Sequence, residues 1–165
     1  MVQRMTTPLD VEEFKRRRND IEFELRDVIA QRVAGNVQSI STALKDVFEK
    51  LFGDKRQARE RVQFLVYVAP LMRRLTIDLG RQGHASGTIN LNAMELDQWL
   101  ARLEGFDPEC ALMIDLRYFA GLSTRETAAA LGLSPQVVIR DLRFAKAWLQ
   151  ARVRWAGNPQ PKSSE

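Results

Sequence analysis

Apolar residues recur at helical spacing along most of the chain, and this pattern predicts an all-α fold. The longest stripe runs through FLVYVAPLMRRLTIDLGRQ, where apolar residues from Phe64 to Leu79 return every three or four positions. Pro70 lies inside this stripe and predicts a kink or a break, because proline lacks a backbone donor. Alternating apolar and polar runs, which would predict strands, are almost absent.

The segment 107–155 carries the sharpest signals for where helices begin and end. Asp107 precedes a proline and an acid, a combination that suits a helix start. Ser123 and Glu126 form an S-x-x-E capping box that opens a short Ala-rich helix. Gly132 ends that helix, and a Ser-Pro pair begins the next one. The segment therefore predicts three helices joined by tight turns.

The last two of these helices form a predicted helix-turn-helix. A Gly-containing turn joins them, Ala128 is small where the helices would cross, and Val138 fills the joint. The second helix of such a pair can enter the major groove of DNA through its N-terminal residues. A plain helical bundle has the same packing demands, so both interpretations stay open on this pattern alone.

The pattern dissolves between positions 80 and 92, where GRQGHASGTINLN holds three glycines and no helical stripe. This composition is typical of a flexible linker. We therefore expect two small helical domains joined by a flexible linker. The expected ranges are a tail over 1–9, a helical domain over 10–81, a linker with a short helix over 82–106, a helix-turn-helix domain over 107–155 and a polar tail over 156–165.

Charge and composition narrow the class of protein. Lysine and arginine outnumber the acids 25 to 21, which gives a net charge of +4. This excess is compatible with nucleic acid, although solubility alone would account for it. The single cysteine, Cys110, excludes an internal disulfide and is expected to be a buried core thiol. No apolar run is long enough to span a bilayer, so we expect a cytoplasmic protein.

No group of residues suggests catalysis. The sequence lacks a Gly-rich phosphate loop and a Cys/His cluster, and its single histidine, His84, lies in the predicted linker. We therefore expect a protein that is not an enzyme and that needs no metal or other cofactor.

Two stretches resemble a known family. DLRYFAGLSTRETAAALGLSPQVVIRDLRFAKAWL is similar to region 4 of the extracytoplasmic-function (ECF) sigma factors of bacterial RNA polymerase. YVAPLMRRLTIDLGRQ resembles the region 2 helix that reads and opens the −10 element. With STALKDVFEKLF, the resemblance covers the chain from about Leu25 to Leu149. It implies a sigma factor that binds core RNA polymerase and directs it to promoter DNA.

The resemblance also assigns roles to residues. Near the −35 element it places Arg125, Gln136, Val137, Arg140, Arg143 and Lys146. Near the −10 element it places Tyr67, Arg73, Arg74, Asp78 and Arg81. It assigns the contact with core polymerase to Asp46 and Glu49. Arginine can bond to guanine and glutamine to adenine through two hydrogen bonds each, whereas contacts to phosphate position the protein without reading sequence.

The polymerase-contacting helix departs from the family pattern. Lys45 and Lys50 flank its two acids, where most ECF sigma factors carry a denser acidic cluster. A phosphate on Thr42 would supply the missing negative charge, which makes a Ser/Thr protein kinase a candidate partner. The competing interpretation is that a Ser or Thr here, Ser41 or Thr42, simply caps the helix. An anti-sigma factor is the other candidate regulator.

Two alternatives to a sigma factor remain at this stage. One is an independent helix-turn-helix regulator whose N-terminal helices form a dimerisation or sensor module. The other is a bundle that only binds other proteins. The second would show no loss of DNA binding when Arg140 and Arg143 are replaced.

Overall fold

A computed structural model describes residues 11–33, 39–81 and 90–157. The helices are α1 (Val11–Arg16), α2 (Arg18–Val33), α3 (Ile40–Phe52), α4 (Ala58–Arg81), α5 (Asn90–Phe106), α6 (Pro108–Ile114), a π-helix (Asp115–Phe119), α7 (Thr124–Leu131) and α8 (Pro135–Gly157). Over these ranges the chain contains helices and no strand, which confirms the all-α prediction. The expected tail over 1–9, His84 and most of the expected polar tail lie outside the described residues.

Helices α1 to α4 form an N-terminal unit around a cluster of phenylalanines. The rings of Phe14, Phe48 and Phe64 are almost completely buried, and the centroids of Phe48 and Phe64 are 5.2 Å apart. Arg17 closes one side of the cluster, because its Nη1 donates to the carbonyl of Leu51 while its guanidinium carbon lies 5.0 Å from the centroid of the Phe52 ring. Aromatic burial of this kind is a large apolar contribution to the stability of a small unit.

Helix α4 is the longest element of this unit and continues through Pro70 without a break. The expected break at the proline is therefore not observed. The helix also begins later than the cap signal at Asp54 suggested, since α4 starts at Ala58 and residues 53–57 form a turn. Arg61 stabilises this turn by donating from Nη2 to the Asp54 carbonyl at 3.1 Å.

Helices α5 to α8 and the π-helix form a C-terminal unit with a second core. Helix α5 spans 17 residues and replaces the short helix that was expected within the linker. Leu100 and Leu103 of α5 are fully buried, and Trp99 packs edge-on against Trp148 of α8 with centroids 5.8 Å apart. Residues 90–106 are thus part of a folded core, and a flexible linker over 82–106 is not confirmed.

The helix-turn-helix has the local structure that its sequence predicts. Ser123 Oγ accepts from the Glu126 amide at 3.1 Å, and Glu126 Oε2 accepts from the Ser123 amide at 2.8 Å, so the capping box is complete. Gly132 ends α7 with a φ of 67°, a left-handed conformation that favours glycine. Val138 is fully buried at the joint between α7 and α8.

Among the described residues, no helix combines the length and apolar character needed to cross a membrane.

The burial of α5 makes a direct prediction about stability. Leu103→Ala should lower the free energy of unfolding by about 2–5 kcal/mol, because it leaves a cavity in a closely packed core. Urea unfolding followed by circular dichroism measures this change, with Gln98→Ala on the exposed side of α5 as the control. A Leu103→Ala protein as stable as the control would mean that α5 behaves as a linker in solution.

Candidate nucleic-acid interface

The exposed side of α8 presents three polar residues of the predicted −35 set. Gln136, Arg140 and Arg143 are exposed and are spaced four and three residues apart, so they share one face of the helix. The opposite face carries Val138 and Leu142, which are buried in the second core. The burial of one face therefore fixes which side chains of α8 are turned to solvent.

The start of α8 is held by its own turn. Ser134 Oγ accepts from the amide of Val137 at 3.3 Å, and Val137 itself is half-buried. Arg140 donates from Nε to Asp141 Oδ1 at 2.9 Å. This exposed pair is a weak interaction that Arg140 can exchange for a base or a phosphate.

Two basic side chains flank this face. Arg125 is exposed on α7, and Lys146 is exposed one turn beyond Arg143 on α8. The Lys146 ammonium lies 5.0 Å from the centroid of the Tyr118 ring, a cation–π contact that holds the lysine near the π-helix. Both residues are placed beside the three side chains of α8, as contacts to phosphate require.

Most of the predicted −10 set lies along one side of α4. Tyr67, Arg74, Asp78 and Arg81 follow one another at intervals of seven, four and three residues, which places them on one face of the helix. Arg74 and Asp78 are exposed. Tyr67 is half-buried against Phe14, with ring centroids 5.3 Å apart. The side chain of Arg81 lies outside the described residues.

Arg73 differs from the other members of the set because it is buried at 2% exposure. Its Nη1 donates to both carboxylate oxygens of Asp115 at 3.0 Å, and its Nη2 donates to Glu104 Oε2 at 2.9 Å. Asp115 belongs to the π-helix and Glu104 to α5, so both partners come from the C-terminal unit. In this conformation Arg73 is an internal residue with no access to DNA.

Asp115 was not singled out from the sequence. It is an acid in the middle of an apolar stretch, ALMIDLRYF, and that mismatch is the signal that could have identified it. The backbone there widens into a π-helix, in which the Ala120 amide donates to the Asp115 carbonyl at 2.9 Å. Such turns are rare and occur often at functional sites.

Burial dominates the electrostatics of Asp115. Burial raises the pKa of this carboxyl from its ordinary 3.8 to about 7, and the Arg73 guanidinium opposes the rise only in part. The nearby carboxylate of Glu104 raises the pKa further, whereas Arg74 lowers it. Desolvation thus outweighs the attraction of the ion pair, as it commonly does for buried charges.

Helix α3 carries the predicted polymerase contacts. Asp46 and Glu49 are exposed, and Glu49 Oε1 lies 3.5 Å from Arg61 Nη2. Thr42 is also exposed, in the first turn of α3. Ser39 rather than Ser41 or Thr42 occupies the N-cap, without a side-chain capping bond, and its Oγ lies 2.9 Å from Ser41 Oγ. Thr42 is therefore not needed as the cap.

Cys110 is a core residue, as expected. It is 3% exposed, and its Sγ donates to the Asp141 carbonyl at 3.5 Å. Burial, reinforced by the carboxylates of Asp107, Asp141 and Glu109, raises the pKa of this thiol to about 11, so it stays protonated and unreactive at neutral pH. Within the described part of the chain, no group of three His, Cys, Asp or Glu residues could hold a metal ion.

A helix-turn-helix whose second helix exposes arginine and glutamine defines a class of DNA-binding protein. The family model described as ECF sigma factor matches residues 81–155, just under half of the chain. This part of the protein belongs to the ECF sigma factors, which are DNA-binding regulators of transcription. The match supports a role in transcription initiation and implies binding to RNA polymerase and promoter DNA. No curated protein and no solved structure matches the chain.

The raised pKa of Asp115 predicts a pH-dependent stability. Between about pH 4 and 7 the folded protein holds a proton on Asp115 that the unfolded chain has released, so this contribution is lost as the pH rises. Compared with Asp115→Asn, the wild-type protein should therefore lose stability between pH 5 and pH 8. Urea unfolding of both proteins at the two pH values measures the difference. A relative gain of stability by the wild type over that range would show that Asp115 is ionised throughout.

Proposed function

We propose that the protein is an ECF-type sigma factor that binds core RNA polymerase in the cytoplasm and directs promoter recognition. The observation that carries this proposal is the ECF sigma factor match over the folded unit that exposes Gln136, Arg140 and Arg143 on α8. The helix-turn-helix would read the −35 element, and the N-terminal unit would read the −10 element.

At the −35 element, the exposed face of α8 would enter the major groove. Arg140 and Arg143 can each bond to guanine O6 and N7, and Gln136 can pair similarly with adenine. Val137 is half-buried and would offer its remaining apolar surface to a thymine methyl group. Arg125 and Lys146 would contact phosphates on either side and set the register of the helix on the duplex.

At the −10 element, the outer face of α4 would hold the opened strand. Tyr67 offers an aromatic face on which a base can stack, and Arg74 offers a guanidinium to phosphate. Asp78 and Arg81 extend the same face. Arg73 would join this set only after it separates from Asp115.

Asp46 and Glu49 on α3 are the proposed contacts with core polymerase. Both acids are exposed, and charge complementarity to a basic surface would speed and orient the encounter. Lys45 and Lys50 are exposed beside them and dilute the negative charge of the helix.

The proposed function predicts a separation of polymerase binding from promoter binding. The protein should co-purify with bacterial core RNA polymerase, and Arg140→Ala/Arg143→Ala should co-purify equally well. The variant should bind promoter DNA at least about tenfold more weakly, because each paired contact to a base contributes about 1–3 kcal/mol. Promoter affinity measured by fluorescence anisotropy at several salt concentrations gives both the loss and the expected decrease with salt.

Arg16→Ala/Arg26→Ala provides the matched control, since it removes two exposed arginines from α1 and α2 and should leave promoter affinity nearly unchanged. Failure to bind a core enzyme that accepts another sigma factor would contradict the proposal. Tight binding to a two-fold symmetric site without polymerase would indicate the independent helix-turn-helix regulator instead.

We further propose that a Ser/Thr protein kinase controls polymerase binding through Thr42. The side chain is exposed in the first turn of α3, where the partial positive charge of the helix N-terminus favours a phosphate. A phosphate there would add almost two negative charges on the same helix as Asp46 and Glu49. Inhibition by an anti-sigma factor is the alternative form of control.

The phosphorylation proposal predicts that Thr42→Asp binds core polymerase several-fold more tightly than Thr42→Ala, since added charge improves complementarity to a basic surface. Co-purification with limiting core enzyme compares the two variants, and kinase treatment of the wild-type protein should act in the same direction. Ser39→Asp is the control for added charge next to the helix without the change at Thr42. Equal binding of Thr42→Asp and Thr42→Ala would rule out the switch.

A further inference from the structure

The two units of the protein are docked on each other through the π-helix. Leu116, Ala120 and Leu122 belong to the C-terminal unit in sequence, but they are buried in the core of the N-terminal unit. Each is at most 2% exposed. The contact between α4 and the π-helix is therefore a continuous apolar interface, and the Arg73–Asp115 pair lies inside it.

A second part of the interface joins α3 to the chain that leads into α7. Gly121 has a φ of 73°, and a Cβ at this position would lie 3.3 Å from the Cβ of Ile40. Lys45 Nζ lies 3.9 Å from Glu126 Oε1 across the same boundary. The two units enclose a cavity of about 250 Å³ next to this ion pair, lined by Leu65 and Leu122 among others.

We propose that this docked form is autoinhibited: the C-terminal unit, held by Asp115 and Glu104 on Arg73, keeps Arg73 of the −10 helix away from DNA until the units separate. The inference rests on the proposed sigma function for its consequence, but the docked form itself can be tested without polymerase. It assigns a regulatory role to Asp115.

The spacing of the promoter elements requires the separation. The −35 and −10 elements lie about 25 base pairs apart, which corresponds to about 85 Å along B-form DNA. In the docked form, α4 and the π-helix are in direct contact, and a hydrogen bond of 3.0 Å joins Arg73 to Asp115. A protein docked in this way cannot place α4 on one element and α8 on the other, so binding to both requires the docked form to open.

The ion pair gives the docking its specificity. Burying two charges costs several kcal/mol that the attraction between them only partly repays, so the pair adds little net stability. Removing one charge, however, leaves the other buried without compensation, which is strongly unfavourable. Docking is therefore selective for the arrangement in which Asp115 and Glu104 meet Arg73, yet it is weak enough to be reversed by a competing partner.

A zero-length carbodiimide cross-linker tests whether the docked form exists in solution. It joins a lysine amine to a carboxylate only when the two are in contact. Lys45 and Glu126 come from different units, whereas Lys50 and Glu24 are 2.6 Å apart within the N-terminal unit and serve as the internal reference. Mass spectrometry of the wild-type protein should detect both cross-links.

Asp115→Arg should lower the ratio of the Lys45–Glu126 cross-link to the Lys50–Glu24 cross-link at least about tenfold, because it buries like charges beside Arg73. Glu109→Arg makes the same change of charge at an exposed position of α6 and should leave the ratio unchanged. Ile40→Asp disturbs the interface from the other unit and should also lower the ratio, while an acid in the first turn of α3 favours the helix. It decides the question if circular dichroism shows that Asp115→Arg is unfolded.

An unchanged ratio in the folded variants, or no Lys45–Glu126 cross-link in the wild type, would overturn the docked form. The inhibitory role is tested separately with core polymerase and promoter DNA, where Asp115→Arg should form the promoter complex several-fold faster than Glu109→Arg. Equal rates would overturn autoinhibition. If neither variant nor the wild type binds polymerase, the proposed sigma function fails, whereas the cross-linking result still stands.

Discussion

The buried pair between Arg73 and Asp115 determines how the rest of the molecule is arranged. An arginine at 2% exposure must find compensation for its lost hydration, and here both compensating carboxylates come from the other unit. The apolar residues around the pair supply the area that brings the units together. The pair makes that association specific, since any other orientation of the units would leave a charge buried without a partner.

Much of the fold was predictable because helix signals are local. The capping box at Ser123 and Glu126 and the left-handed Gly132 depend only on neighbouring residues, and they occur as predicted. The apolar stripes of α4 and α8 likewise depend only on spacing. The extent of α5 was not predictable in the same way, because its stability comes from contact with residues far along the chain, such as Trp99 with Trp148.

The candidate site divides along the same line. Exposure of Gln136, Arg140 and Arg143 follows from the burial of the opposite face of α8, so the sequence was sufficient to place them. The burial of Arg73 was not foreseeable, because it depends on a partner 42 residues away. Side chains on one helix face were treated as equivalent, although a neighbouring unit can cover one of them and leave the next exposed.

The π-helix has a consequence for how the C-terminal unit tolerates change in length. It accommodates one more residue than an α-helical turn, and each residue of an α-helix corresponds to a rotation of about 100°. A single deletion between Asp115 and Phe119 would restore regular winding, but it would rotate the preceding α6 relative to everything that follows. Deletions in this stretch would therefore redirect α7 and α8 as a body, so the length of five residues sets the angle at which the recognition helix is presented.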